Sequence, residues 1–162
     1  MSEIIREIED RERRQTRIML YNVPESKREQ GVARKAEDTL LVKNICTEDL
    51  NMEDLCITDT VRIGKKSEDP HSHRPLRVDL SEKEMKQEIL KQAGNLRSAV
   101  NPVTNKIYIS ADLTPVQRTE MKELLKERKI KQEELKLAGE TGFTWIIRND
   151  KLTKVRAKAK PE

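Results

Sequence analysis

Apolar residues recur along this chain with two periods, and the alternation between them predicts its elements. Ile18, Leu20 and Val23 make a short apolar run that Asn22 and Pro24 interrupt, the signature of a strand beginning near Arg17. From Glu25 to Cys46 the spacing lengthens: Val32, Ala36, Leu40, Leu41 and Ile45 recur every few residues, as one buried face of a helix would. Leu55, Ile57, Val61 and Ile63 then suggest a half-buried strand with those side chains inward and Arg62 outward. Gly64 to His73 is polar and reads as a loop. Leu76, Val78 and Leu80 alternate with Arg77 and Asp79, predicting a third strand. Ser81, with Glu84 three residues on, has the pattern of a capping box before a helix striped by Met85, Ile89, Ala93 and Leu96. Lys106 to Ser110 predicts a fourth strand, with Ile107 and Ile109 inward and Tyr108 outward.

The resulting order, strand–helix–strand–strand–helix–strand, is the split βαβ pattern of ferredoxin-like domains such as the RNA-recognition motif (RRM). An RRM-like α+β domain is therefore expected over residues 17–111. A charged lead-in helix precedes it over residues 1–16, where Ile4, Ile5 and Ile8 start an apolar stripe, a remnant of a coiled coil at most. A lobe of one helix and one hairpin follows over 112–155. Asp112 or Thr114 caps a helix starting at Pro115, Gly139 and Gly142 end it, and Phe143 to Val155 folds back at Asn149-Asp150. Residues 156–162 read as a disordered basic tail.

Composition narrows the function. Of 162 residues, 38% are charged and 35% hydrophobic, leaner in apolar residues than the roughly 45–50% of an ordinary domain, so the core is small. The net charge is +4 and the pI about 9.0, at the edge of the nucleic-acid-binding range. Two cysteines are too few for a disulfide framework, and no apolar run reaches membrane length. These features predict a soluble intracellular protein without a signal peptide.

The candidate chemistry is cationic. Arg62, Lys65, Lys66, Arg74 and Arg77 cluster around the second and third strands, where they could neutralise phosphates, with Tyr21 and Tyr108 as stacking platforms. The opposing reading is a solvated face, which Glu68 and Asp69 favour. Arg148 and Lys151 flank the hairpin turn, and Lys154, Arg156, Lys158 and Lys160 continue the basic run. Arg118, Lys122 and Lys126 could line a cleft wall, although the interleaved Glu120, Glu123 and Glu127 favour solvated pairs. Cys46, Cys56, His71 and His73 lack zinc-ligand spacing, and both cysteines are expected to be small buried hydrophobes. No glycine-rich phosphate loop or nucleophile motif is present, so neither an enzyme nor a cofactor is expected.

Four stretches carry a family resemblance: Y-N-V-P-E, R-P-L-R-V-D-L, K-I-Y-I-S-A-D-L-T-P-V-Q-R and I-I-R-N-D-K-L. In this order, over residues 17–155, they resemble the RNA-binding protein encoded by the first open reading frame of LINE-type (non-LTR) retrotransposons. The A-D-L-T-P segment is the most specific. The resemblance implies a non-enzymatic protein that trimerises through a coiled coil, coats retroelement RNA in cytoplasmic or nuclear ribonucleoprotein particles and acts as a nucleic-acid chaperone. Its partners would be single-stranded RNA, and DNA as an alternative. Here the coiled coil is expected to be missing or reduced to residues 1–16. The sequence departs from a base-reading RRM as well: Met19 and Tyr21 on the first strand and Arg77 and Asp79 on the third stand where paired aromatics would be needed. Charge-driven binding in a basic cleft between domain and lobe is therefore expected, with the first strand as scaffold. The competing expectation is a ferredoxin-like protein-interaction module that binds no nucleic acid.

Overall fold

The computed structural model describes residues 2–159, which divide into two compact units, the first ending at Asp112 and the second beginning at Leu113. The first is a mixed α+β unit. Helix α1 (Glu3–Arg14) leads into strand β1 (Arg17–Tyr21), followed by α2 (Gly31–Asn44), β2 (Ile57–Arg62), β3 (Leu76–Leu80), α3 (Lys83–Gln92) and β4 (Tyr108–Ala111). The four strands form one antiparallel sheet in the order β2-β3-β1-β4, with β1 central as its apolar run suggests. The lead-in helix is tied to this unit, since Arg14 Nη1 donates to Asp112 Oδ1 at 2.9 Å and Lys86 Nζ donates to the Arg14 carbonyl at 3.0 Å.

One face of the sheet packs on the helices. Ile18, Leu20, Leu76, Val78 and Ile109 meet Val42, Ile45, Cys46, Leu50, Ile89 and Leu96 in a single core. Each aliphatic side chain fully buried this way contributes about 1.5–3 kcal/mol. The α3 stripe packs as its spacing predicts, but the expected Ser81 cap does not form. Glu82 occupies the cap position without a side-chain bond, and Ser81 Oγ instead contacts Met85 Sδ at 3.6 Å.

Helix α2 departs most from its sequence pattern. It starts at Gly31 rather than Glu25, because residues 22–30 are drawn out as a loop, and it buries only part of the expected face, Leu41 and Ile45 packing on the core. Asp38, Val42, Ile45 and Cys46 point into the unit, whereas Val32, Ala36 and Leu40 face solvent, Val32 being 83% and Leu40 58% exposed. A wide turn, Ile45–Asp49, extends the helix and carries Ile45 and Cys46 into the core. Burial pushes the Cys46 thiol up to about 12, so it behaves as a hydrophobe, while Cys56 just ahead of β2 is exposed, contrary to expectation.

In the second unit, α4 (Pro115–Leu137) is followed by the hairpin β5 (Phe143–Arg148) and β6 (Lys151–Arg156). Thr114 closes the predicted helix start with a full capping box: its Oγ accepts from the Gln117 N–H and its own N–H donates to Gln117 Oε1. Asn149 and Asp150 both have positive φ, 49° and 57°, which matches the twist of a two-residue hairpin turn. Gln132 Oε1 on α4 accepts from the Trp145 N–H and the Thr144 hydroxyl, each at 3.0 Å, pinning hairpin to helix.

Candidate nucleic-acid interface

The sheet face away from the helices is built by the residues that alternate with the core. Tyr21 on β1 and Tyr108 on β4 are direct cross-strand partners, 37% and 56% exposed, with ring centroids 6.0 Å apart and planes tilted by 38°. One side chain of β1 thus joins an aromatic pair at the sheet surface, on the side where alternation places Tyr21 and Tyr108. The separation falls in the range of favourable aromatic pairs and leaves ring surface open to solvent. In the next row Arg77 and Ser110 flank Met19, which is only 9% exposed.

Arg77 does project from this face, but it is not unopposed. Its Nε donates to Asp79 Oδ1 at 2.9 Å, its Nη2 lies 3.9 Å from Asp59 Oδ2, and Arg17 Nε lies 3.4 Å from Asp79 Oδ2. Asp59 also pairs with Lys35, whose hydrogen bond holds its carboxyl below the usual range.

Arg62 is the principal correction. A register shift between Ile57 and Asp59 inserts an extra residue into β2, so Thr60 and Arg62 turn to the helix side while Val61 and Ile63 face outward. The Arg62 side chain is only 9% exposed and pairs with the equally buried Asp38, Nη2 to Oδ1 at 2.6 Å and Nε to Oδ2 at 3.0 Å. Its remaining N–H groups donate to the carbonyls of Val23, Pro24 and Arg74, each at 2.9 Å. All five guanidinium donors are engaged, leaving none for a phosphate.

Arg74 is half structural. Its Nε donates to Glu25 Oε1 at 2.8 Å, binding the β2–β3 loop to the loop after β1. Burial alone would raise the Glu25 pKa, but the hydrogen bonds from Arg74 outweigh it and hold the carboxyl below its usual range. Lys65 and Lys66 are exposed in that loop and make no ion pair among the described residues. A pocket of about 280 Å³ brings Lys66 and Arg74 together with Arg34 and Lys35 of α2. Sequence reasoning missed those two cations. Both lie in the first two turns of α2, which begins at Gly31.

Arg148 and Lys151 are cross-strand partners at the closed end of the second unit's hairpin, both exposed. Lys154 pairs with Glu140 at 2.7 Å and sits 5.0 Å from the Phe143 ring centroid, so it supports the hairpin. Lys131 similarly covers Trp145 at 4.5 Å. Arg118, Lys122 and Lys126 are exposed, and Lys126 bonds Glu123 at 3.0 Å, in keeping with solvated pairs on that helix. Lys158 is exposed and Lys160 lies outside the described residues. Among the described residues no three His, Cys, Asp or Glu side chains come together as metal ligands, and no helix is long and apolar enough to cross a membrane. Comparison with protein-family models and with curated proteins found no match to this chain.

Proposed function

We propose that this protein binds single-stranded RNA with little sequence preference and acts as a nucleic-acid chaperone in a retrotransposon ribonucleoprotein, using the first unit as an RRM-like platform. The observation that carries this reading is the exposed Tyr21–Tyr108 pair on the open sheet face. Aromatic rings stack on any base, and each stacked base contributes about 1–3 kcal/mol. Lys65, Lys66, Arg148 and Lys151 supply exposed positive charge for phosphates, and Arg77 and Arg74 add charge tempered by their carboxylate partners. The sheet order β2-β3-β1-β4 and the resemblance to the LINE first-open-reading-frame protein support the same reading. Many weak, salt-labile contacts of this kind would let strands exchange, which is what a chaperone needs. DNA single strands offer the same phosphates and bases and are the alternative ligand.

Binding of a labelled single-stranded RNA, titrated with salt, tests the proposal. The log–log slope should be about −0.7 for each phosphate neutralised. Tyr21→Ala and Tyr108→Ala should each weaken binding by about 1–3 kcal/mol, with the fold retained and stability lowered only by the loss of the aromatic pair, about 0.5–1.5 kcal/mol. No binding at about 50 mM salt would refute the proposal. Ile4, Ile5 and Ile8, all exposed on α1, support the self-association that the resemblance implies, and light scattering with and without residues 1–16 would measure it.

A further inference from the structure

The apolar stripe of α2 that the fold leaves uncovered runs into a groove. Leu40, Leu41 and Ile45 line it together with Val103 and Ile107 of the segment before β4, with Asn44, Asn101 and Thr104 beside them, enclosing about 290 Å³. Leu40 and Val103 are 58% and 43% exposed, and Val32 and Ala36 extend the apolar surface along the helix. Every charged residue lining the groove is acidic: Glu37, Glu48 and Asp49. Of these, Glu37 already bonds Arg28 at 2.7 Å, while Glu48 and Asp49 make no ion pair among the described residues. Phosphates are repelled by such a rim, so the groove is not a continuation of a nucleic-acid surface. Its volume lies just below the roughly 300–1,000 Å³ typical of small-molecule sites, which suits a few anchoring side chains of a larger partner.

We infer that this groove docks a short amphipathic helix of a partner protein, with aliphatic residues entering between Leu40 and Val103 and lysine or arginine on its flank facing Glu48 and Asp49. Two features select this occupant. An apolar floor calls for an amphipathic segment, since a helix laid in a groove anchors through side chains one turn apart. The uniformly acidic rim calls for a basic flank, which speeds encounter and fixes orientation. A purely basic tail would leave the apolar walls wet, and an acidic helix would face like charge.

The test uses the full chain and three synthetic helical peptides of equal length: leucine/lysine amphipathic, leucine/glutamate amphipathic, and the leucine/lysine composition scrambled to remove its apolar face. NMR titration should move amides in residues 37–49 and 101–107 with the first peptide only. Leu40→Ser and Glu48→Lys should each weaken that binding about tenfold, the change expected from removing one anchor or reversing one facing charge. Leu40 and Glu48 are exposed, so both variants should melt as the parent does. The inference fails if the leucine/glutamate or scrambled peptide binds equally, if the shifts fall elsewhere, or if the variants bind unchanged. It also fails if a single-stranded oligonucleotide shifts the same amides, or if Leu40→Ser abolishes self-association, which would make a second copy the occupant. RNA affinity of the same variants should be unaltered, so this result and the RNA-binding result can fail separately.

Discussion

Removing the Arg62 side chain would leave the Asp38 carboxylate buried without a counter-charge and three carbonyls without their donor. Breaking one side of a buried pair costs about 3–5 kcal/mol, so Arg62→Ala should lower the urea midpoint sharply. Replacing both partners with aliphatic residues should cost much less. Charge also enters at Glu25, whose carboxyl lies below its usual pKa because Arg74 bonds its ionised form. A depressed carboxyl contributes stability above the unfolded-state pKa and loses it as pH falls through the folded-state value. Urea midpoints measured from about pH 7 down to about pH 3 should therefore fall less steeply for Glu25→Gln than for the parent. Neither contact was legible in the sequence. Arg62 sits in a strand whose alternation is displaced by one bulged residue, and nothing in the residue types of Ile57 to Asp59 announces the bulge.

Elements with strong local chemistry follow their sequence closely. Thr114, Pro115 and Gln117 set the start of α4 through bonds within four residues, and Asn149-Asp150 sets the hairpin through backbone conformation alone. Thr114→Ala should remove the cap and cost about 1 kcal/mol, readable as a lower melting temperature with the fold intact. Helix α2 lacks such a cap: Gln30 makes no side-chain bond there, so periodicity was the only guide. It misled because the most regular apolar stripe, Val32, Ala36 and Leu40, is solvent-facing, while the buried face includes Asp38 as the counter-ion of Arg62. A buried carboxylate looks like a surface residue until its partner is known. Among the candidate site residues, Tyr21 and Tyr108 were legible because simple alternation holds on β1 and β4, where the pairing is regular.

On the scale of the whole molecule, the continuous core lies in the first unit, from Ile18 to Ile109. Among the described residues the second unit has one buried aliphatic residue, Leu135, and a two-stranded hairpin. A chain ending at Asp112 should therefore fold cooperatively with dispersed amide resonances, whereas a chain beginning at Leu113 should be marginal alone, since a helix and hairpin of this size bury too little surface. Circular dichroism melts of the two pieces would check this. If RNA affinity tracks exposed tyrosines and lysines of the first unit, the shorter chain should keep part of it.

The clamp of Arg62 on Asp38 has an evolutionary corollary. Its two positions lie 24 residues apart, yet neither can drift on its own without stranding a charge in the interior. Lineages descending from this sequence should exchange the pair jointly or retain it. Lysine in place of Arg62 should be rare, because three ammonium donors cannot serve five acceptors at once. Joint substitution at these two sites would thus serve as a historical record of the loop that they hold.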